Sequence, residues 1–225
     1  EKQIEQLNKI EFDTPIEIQT DDLLIRSPIV SSNGKHLAWV GQNEQPLNHL
    51  KIAKINGRGD LLKIETAMKL RVLREARFFP KSEKILVNAI IPTGANEQYS
   101  DFYIYDILKK RSERVTKKLR GREGRVSPDE TTVVFVGLEG GRTHLRLLDL
   151  KTKGVQTLLS SEFDERIATP IYLNDSTLLF SWLKSGKETL WTYDLKSQRM
   201  ITLPQWGNRM RRPHWDGKKL SFLSD

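Results

Sequence analysis

One unit recurs along the chain every 44 to 48 residues, and no other feature restricts the possible folds so strongly. The stretch REARFFPKSEKILVNAI begins at Arg74, and REGRVSPDETTVVFVGL begins 48 positions later at Arg122. Both read Arg-Glu-small-Arg-apolar, then a polar turn, then alternating apolar residues. RSPIVSSNGKHLAWVG begins 48 positions before Arg74, at Arg26. Downstream, ATPIYLNDSTLLFSW follows Arg166 and RRPHWDGKKLSFLSD begins at Arg211, which brings the number of units to five. Repeats of this length are single supersecondary units that bury their faces only by stacking on their neighbours.

The interior of each unit specifies strands. SSNG, PKSE, SPDE, LNDS and WDG supply Asn, Asp, Gly, Pro and Ser where a hairpin reverses. An apolar strand follows each turn: Leu37–Val40, Ile85–Ile91, Val133–Val136, Leu178–Trp182 and Leu220–Leu223. A second alternating segment comes next (HLKIAKING, DFYIYDILKK, THLRLLDLKTKG and TLWTYDLKSQ). There Tyr103 and Tyr105, Leu145 and Leu147, and Trp191 and Tyr193 keep one parity, as a half-buried strand requires. Asp106, Asp149 and Asp194 end this segment and lead into Lys-rich turns. LLKIET, SERVTKK, VQTLLS and MITLP then close the units. Four antiparallel strands in about 45 residues make one blade of a β-propeller, so the fold class is all-β with about five blades visible. Only residues 1–10, EKQIEQLNKI, read as helical.

The pattern P-x-x-SPDG-K-x-L-x-F followed by L-x-x-x-D-L-K resembles the TolB-type, WD-repeat-like β-propeller of bacteria. VSPDETTVVFV at 126–136 carries it with Glu130 where the family has Gly, and PHWDGKKLSFL at 213–223 keeps Asp216-Gly217-Lys218-Lys219 but is two residues short before its turn. The Arg74 copy lacks the Asp-Gly and is identified by spacing. The resemblance covers residues 22 to 225 and speaks to fold more than to function, because propellers host many roles. It implies a bacterial envelope or secreted setting, with subunits of an envelope assembly as partners. Propellers of the prolyl-oligopeptidase type resemble the same repeat, which implies as the alternative a gate over the catalytic domain of a larger hydrolase.

Two parts are expected: an N-terminal segment at 1–21 that links or closes, and the propeller at 22–225. Residues 10–20, IEFDTPIEIQT, alternate Ile16 with Ile18 and are the expected outer strand of the last blade. The fifth unit stops after its second strand, which reads equally as part of a larger ring, and the start at Glu1 without a signal pattern reads as a mature or excised piece.

Chemistry is sparsely signalled. Cysteine is absent, which removes disulfides, thiolate metal sites and cysteine nucleophiles. No Gly-x-Ser-x-Gly elbow, His-Glu-x-x-His, Walker loop or Gly-x-Gly-x-x-Gly occurs, so neither a catalytic residue, a metal site nor a cofactor is assigned. No apolar run approaches the roughly 20 residues of a transmembrane helix. Of the four histidines, His49 and His144 occupy equivalent places before the third strand and read as serving the blade. Asp21-Asp22 and FDER at 163–166 carry carboxylates without the spacing of a cation site, and RGD at 58–60 reads as a solvated turn. Trp39, Trp182 and Trp191 are expected in the core; Trp206 and Trp215 flank the start of the fifth blade.

The arginines exceed what a blade needs. Arg26, Arg74, Arg122 and Arg211 stand two residues before the matched Pro28, Ala76, Gly124 and Pro213; the fourth unit has Ala168 there, with Arg166 two residues earlier. Arg71, Arg120, Arg209 and Arg212 stand nearby, and 37 basic against 29 acidic residues give a net charge of +8. This position is expected just before the innermost strand, at the channel mouth, where guanidinium groups form a positive funnel with forked donors for carboxylates or phosphates. The competing reading is local pairing with Glu75 or Glu123 that ties blades together. The expected function is a non-catalytic protein-interaction module or scaffold that binds acidic protein partners through Arg26, Arg74, Arg122, Arg166 and Arg211. A nucleic-acid partner has only the charge in its favour, since no base-stacking platform is legible.

Overall fold

The computed structural model describes residues 20–44, 47–56, 61–92 and 98–224. Across these residues the chain forms strands joined by turns. The first sheet holds β1 (Leu24–Val30), β2 (His36–Gln42), β3 (Asn48–Ile55) and β4 (Leu61–Leu70). The second holds β5 (Val72–Phe78), β6 (Lys84–Pro92), β7 (Gln98–Asp106) and β8 (Arg111–Arg114). The third comprises β9 (Gly121–Val126), β10 (Thr132–Glu139), β11 (Arg142–Asp149) and β12 (Val155–Ser160). The fourth comprises β13 (Arg166–Tyr172), β14 (Thr177–Lys184), β15 (Lys187–Asp194) and β16 (Met200–Thr202), and β17 (Met210–Trp215) pairs with β18 (Leu220–Ser224) in the fifth. Strand order follows chain order in every sheet and all pairings are antiparallel. The expected blades are therefore present, four complete and one of two strands. The helical reading of 1–10, most of the expected closing strand at 10–20, and the RGD turn at 58–60 lie outside the described residues.

The core lies between blades, as the second strands explain. Val133, Val134, Phe135 and Val136 of β10 are all fully buried, so this strand is covered on both faces and its apolar run has no polar parity. Its odd residues, Val133 and Phe135, pack toward the second blade with Leu86 and Phe102. The even residue Val134 packs toward the fourth blade with Leu145, Ile167, Leu178 and Phe180. The first two blades share Val40, Leu50, Leu73 and Val87, and the last two share Leu179, Leu190 and Met210. Trp39 and Trp182 are buried as expected, and Trp182 meets Trp191 at 5.7 Å. Trp206 is exposed and stacks on Phe222.

Turn chemistry repeats with the blades. Asp106 accepts a hydrogen bond from Lys109 N (2.9 Å), Asp149 from Lys151 N and Thr152 N (2.9 and 2.6 Å), and Asp194 from Ser197 N (2.7 Å). These backbone donors hold the Asp149 and Asp194 carboxyls below the usual carboxylate range. Four residues after each Asp, Lys110, Lys153 and Gln198 take positive φ, so the Asp-apolar-Lys signature marks one turn built three times.

The first hairpins of the second, third and fourth blades reach back to their predecessors. Glu83 accepts from Asn33 Nδ2 (2.9 Å) and pairs with His36 Nδ1 (3.0 Å). Glu130 accepts from Lys81 N and Ser82 N (2.5 and 2.8 Å). Tyr172 OH bonds Thr132 Oγ1 at 2.9 Å, and its burial pushes the phenol pKa up. Glu130 sits at φ 63°, where Gly34 and Gly217 stand in the first and fifth blades, so the departure from Gly exchanges backbone ease for a bond between blades.

Two outcomes are expected. A Cβ on Gly124 would lie 2.6 Å from Phe102 Cε1 and 3.0 Å from Leu86 Cδ2, inside a packed layer. Gly124→Ala is therefore expected to cost about 1–3 kcal/mol in urea unfolding; an unchanged midpoint would show that Phe102 can yield. Glu130→Gly and Glu130→Ala both lose the tie to Lys81 and Ser82, but only Ala keeps the left-handed strain, so the Gly variant should be more stable by about 1 kcal/mol. Equal midpoints would sink that account.

Candidate interaction site

The first strand of each sheet lies on its inner edge, and these strands approach one another, β1 with β5, β9 with β13 and β13 with β17. Each is interrupted by a bulge. In β9, Arg122 opposes Val136 and Arg125 opposes Val134, so two residues on the bulged strand face one on β10. The same break follows Arg26, Ala168 and Arg211, while in β5 it falls at Arg74 itself. Ser27, Glu123, Thr169 and Arg212 hold φ between 48° and 56° at the equivalent bulge position. Because the partners Val136 and Val134 are two apart, Arg122 and Arg125 share a face although they are three apart in sequence.

The sequence-predicted arginines thus lie within the innermost strands, near their starts, rather than before them. Arg26 and Arg74 are exposed, Arg122 is half-buried, and neither Arg26 nor Arg74 makes an ion pair or hydrogen bond among the described residues. Arg166 is held by Glu188 at 3.5 Å. Arg211 is partly buried on β17 and engaged. In register, Arg166 matches Arg120 and Arg209, two residues before Ala168, Arg122 and Arg211, so a second arginine position recurs in the last three blades.

Arg74 and Arg122 come together. With Arg120 they line a cleft of about 280 Å³ between the second and third blades, whose other walls are Ile90, Gln98, Ser100 and Leu138. Arg26, Arg166 and Arg211 do not line it. Arg120 lies 5.2 Å and Lys118 Nζ 5.4 Å from the Tyr99 ring centre, so the ring holds Arg120 and adds one further cation at the cleft's edge. Among the described residues, the carboxylate paired with these arginines is Glu123, 4.0 Å from Arg122 Nε.

The glutamates of the Arg-Glu pairs are committed elsewhere. Glu75 takes Arg77 Nη2 at 2.8 Å and Arg125 Nη1 at 3.5 Å, and Glu123 Oε2 accepts from Thr169 N at 2.5 Å. A carboxylate thereby ties β5 to β9, and another ties β9 to β13. Burial, followed by the Arg77 charge, pushes the Arg125 guanidinium pKa down. Arg77 and Arg125 went unassigned in the sequence, although the second Arg of the repeated Arg-Glu-x-Arg was the signal. Tyr99, Gln98 and Ser100 carried no repeat signal.

Other candidates resolve as structure. Asp21 and Asp22 hold the protein's own Lys51 ammonium, Asp22 at 3.2 Å, and Asp22 also accepts from Trp39 Nε1 at 2.8 Å. Glu165 of FDER accepts from Trp182 Nε1 (3.0 Å) and pairs with Lys184 (3.4 Å). His49 and His144 lie inside the third strands, opposite Gly41 and Gly137. His49 is buried, and His144 bonds Ser160 Oγ at 2.8 Å. Among the described residues no three His, Cys, Asp or Glu side chains are grouped to hold a metal, and no helix is long and apolar enough to cross a membrane.

No family model and no curated protein matches the sequence. Solved structures do match. TolB from Acinetobacter baumannii is 21% identical with a TM-score of 0.66, over 84% of this chain and 47% of that protein. Prolyl endopeptidases match at 11% identity and a TM-score of 0.64, over 89% of this chain and 32% of theirs. An oligogalacturonate lyase, solved in complex with manganese, is 11% identical with a TM-score of 0.67, over 92% of this chain and 64% of that one. The chain thus spans less than half of that TolB and about a third of the peptidase. At such identities the likeness is one of architecture: this chain has the TolB-type β-propeller fold.

Proposed function

We propose that this propeller is a non-catalytic interaction module that docks an acidic segment of a partner protein, in the bacterial envelope setting that the TolB likeness suggests. The observation that carries this reading is the convergence of Arg74, Arg120 and Arg122 on one cleft while Glu75 is spent on Arg77 and Arg125. Three guanidinium groups, with one loosely paired carboxylate among the described residues, attract and orient carboxylate side chains through forked hydrogen bonds. Blades packed through continuous apolar layers hold these groups still, so little ordering entropy is lost on binding. Arg26 and Arg211, on neighbouring inner strands, extend the positive face; Arg166, paired with Glu188, contributes through the field of the whole face.

A second reading has the propeller gating a larger hydrolase, favoured by the likeness to prolyl endopeptidases. This chain would then select what passes and do no chemistry itself. In that case a catalytic domain shares the polypeptide, and mass spectrometry of the native protein would find it.

The docking reading is tested with a Glu-rich peptide in a binding titration. Arg74→Glu with Arg120→Glu should weaken binding at least tenfold and leave the melting temperature unchanged, because neither side chain has a partner carboxylate in the described residues. Raising the salt from 50 to 300 mM should weaken the parent protein's binding in the same direction. Undiminished capture by the double variant would refute the cleft as the docking site.

A further inference from the structure

The inner strands enclose a second hollow, of about 750 Å³, at the mouth where the first hairpins turn. One residue beyond the bulge of each inner strand lines it: Ile29, Arg77, Arg125, Ile171 and His214. Its remaining walls are largely apolar or aromatic, including Pro80, Pro128, Pro213, Tyr172 and Trp215. Arg77 and Arg125 keep 29% and 25% of their side chains exposed, so both are mostly buried yet reachable from the hollow.

The charges here do not balance. Two guanidinium groups share the single carboxylate of Glu75, at 2.8 and 3.5 Å. Glu123 is turned away to Thr169 N, and the carboxylate lining the hollow, Asp175, is exposed on the rim hairpin. A part-buried cation without full compensation is costly. Arg77 Nη1 and Arg125 Nη1 each donate to a neighbouring carbonyl, Ala76 O and Gly124 O, which aims the forks but leaves the excess charge in place. Counted against their one ion-pair partner, Glu75, the two guanidinium groups carry one positive charge in excess, which a carboxylate on the ligand would balance.

We propose that this hollow is a second ligand site, taking a carboxylate carried on an apolar or aromatic body. Arg77 and Arg125 receive the carboxylate, His214 stands at the rim, and the body packs against Tyr172, Trp215 and the prolines. A cavity of this size holds a small molecule or the last residues of a peptide. It lies at the opposite mouth from the Arg74–Arg120–Arg122 cleft and is independent of it.

The test is a calorimetric titration with 4-phenylbutyrate and with N-acetyl-Ala-Ala-Phe, each as the free acid and as the amide. The acids should bind saturably and at least tenfold more tightly than the amides, and Arg77→Gln should remove most of that difference. If Arg77→Gln does not fold, the exposed His214→Glu should weaken the acids and spare the amides. Binding of both acids points to a chain end as the natural source, and binding of 4-phenylbutyrate alone points to a free small acid; either supports the site. Equal binding of acid and amide, or binding of neither acid, overturns it. So does an equal loss in Arg74→Glu, which would place the acids in the other cleft.

Discussion

Everything in this molecule depends on apolar layers shared between blades. A sheet whose second strand is Val133-Val134-Phe135-Val136, buried on both faces, has no stable existence by itself. Each fully buried Val or Phe contributes roughly 1.5–3 kcal/mol only when a neighbour covers it. The third blade supplies Val133 and Phe135 to one layer and Val134 to the next, so it is the wall of two cores at once. Gly121 and Gly124 belong to the same constraint, because the Phe102 ring occupies the space their side chains would need.

Polar groups follow where the layers leave room. At the hairpin ends, Glu83 and Glu130 reach back to the preceding blade; along the axis, Glu75 and Glu123 reach forward to the next. Both sets use carboxylates as acceptors, and a charged acceptor gives stronger hydrogen bonds than a neutral one. The bulges let one strand serve two sites. Without the extra residue, Arg122 and Arg125 would point to opposite faces; with it, the first meets the outer cleft and the second the axial hollow.

The blades were legible because their signals are local and periodic. Spacing located all five units, and the Asp at 106, 149 and 194 marked real turns. The matched Arg26, Arg122 and Arg211 fall at one register position, with Ala168 of the fourth blade as their counterpart. Which arginines converge was not legible, since that depends on contacts between blades that no repeat encodes. Arg120 reaches the cleft because Tyr99, from another blade, holds it by its ring. Lys51 carried no signal in the sequence, yet it pairs with both Asp21 and Asp22 and gives these carboxylates a structural role. Glu130 reads as a lapse from the glycine of the turn until its bonds to Lys81 and Ser82 are seen.

The ties described here run only between sequential neighbours: hairpin to hairpin, inner strand to inner strand. A chain held in this way is a row of coupled links, and pulling on its ends would load one link at a time. Each blade that yields would release about 45 residues, or roughly 150 Å of extended backbone at about 3.3–3.6 Å per residue, before its neighbour bears the strain. Under tension the fold would thus yield stepwise, and the force it withstands is set by the weakest interface between blades, not by the sum of them.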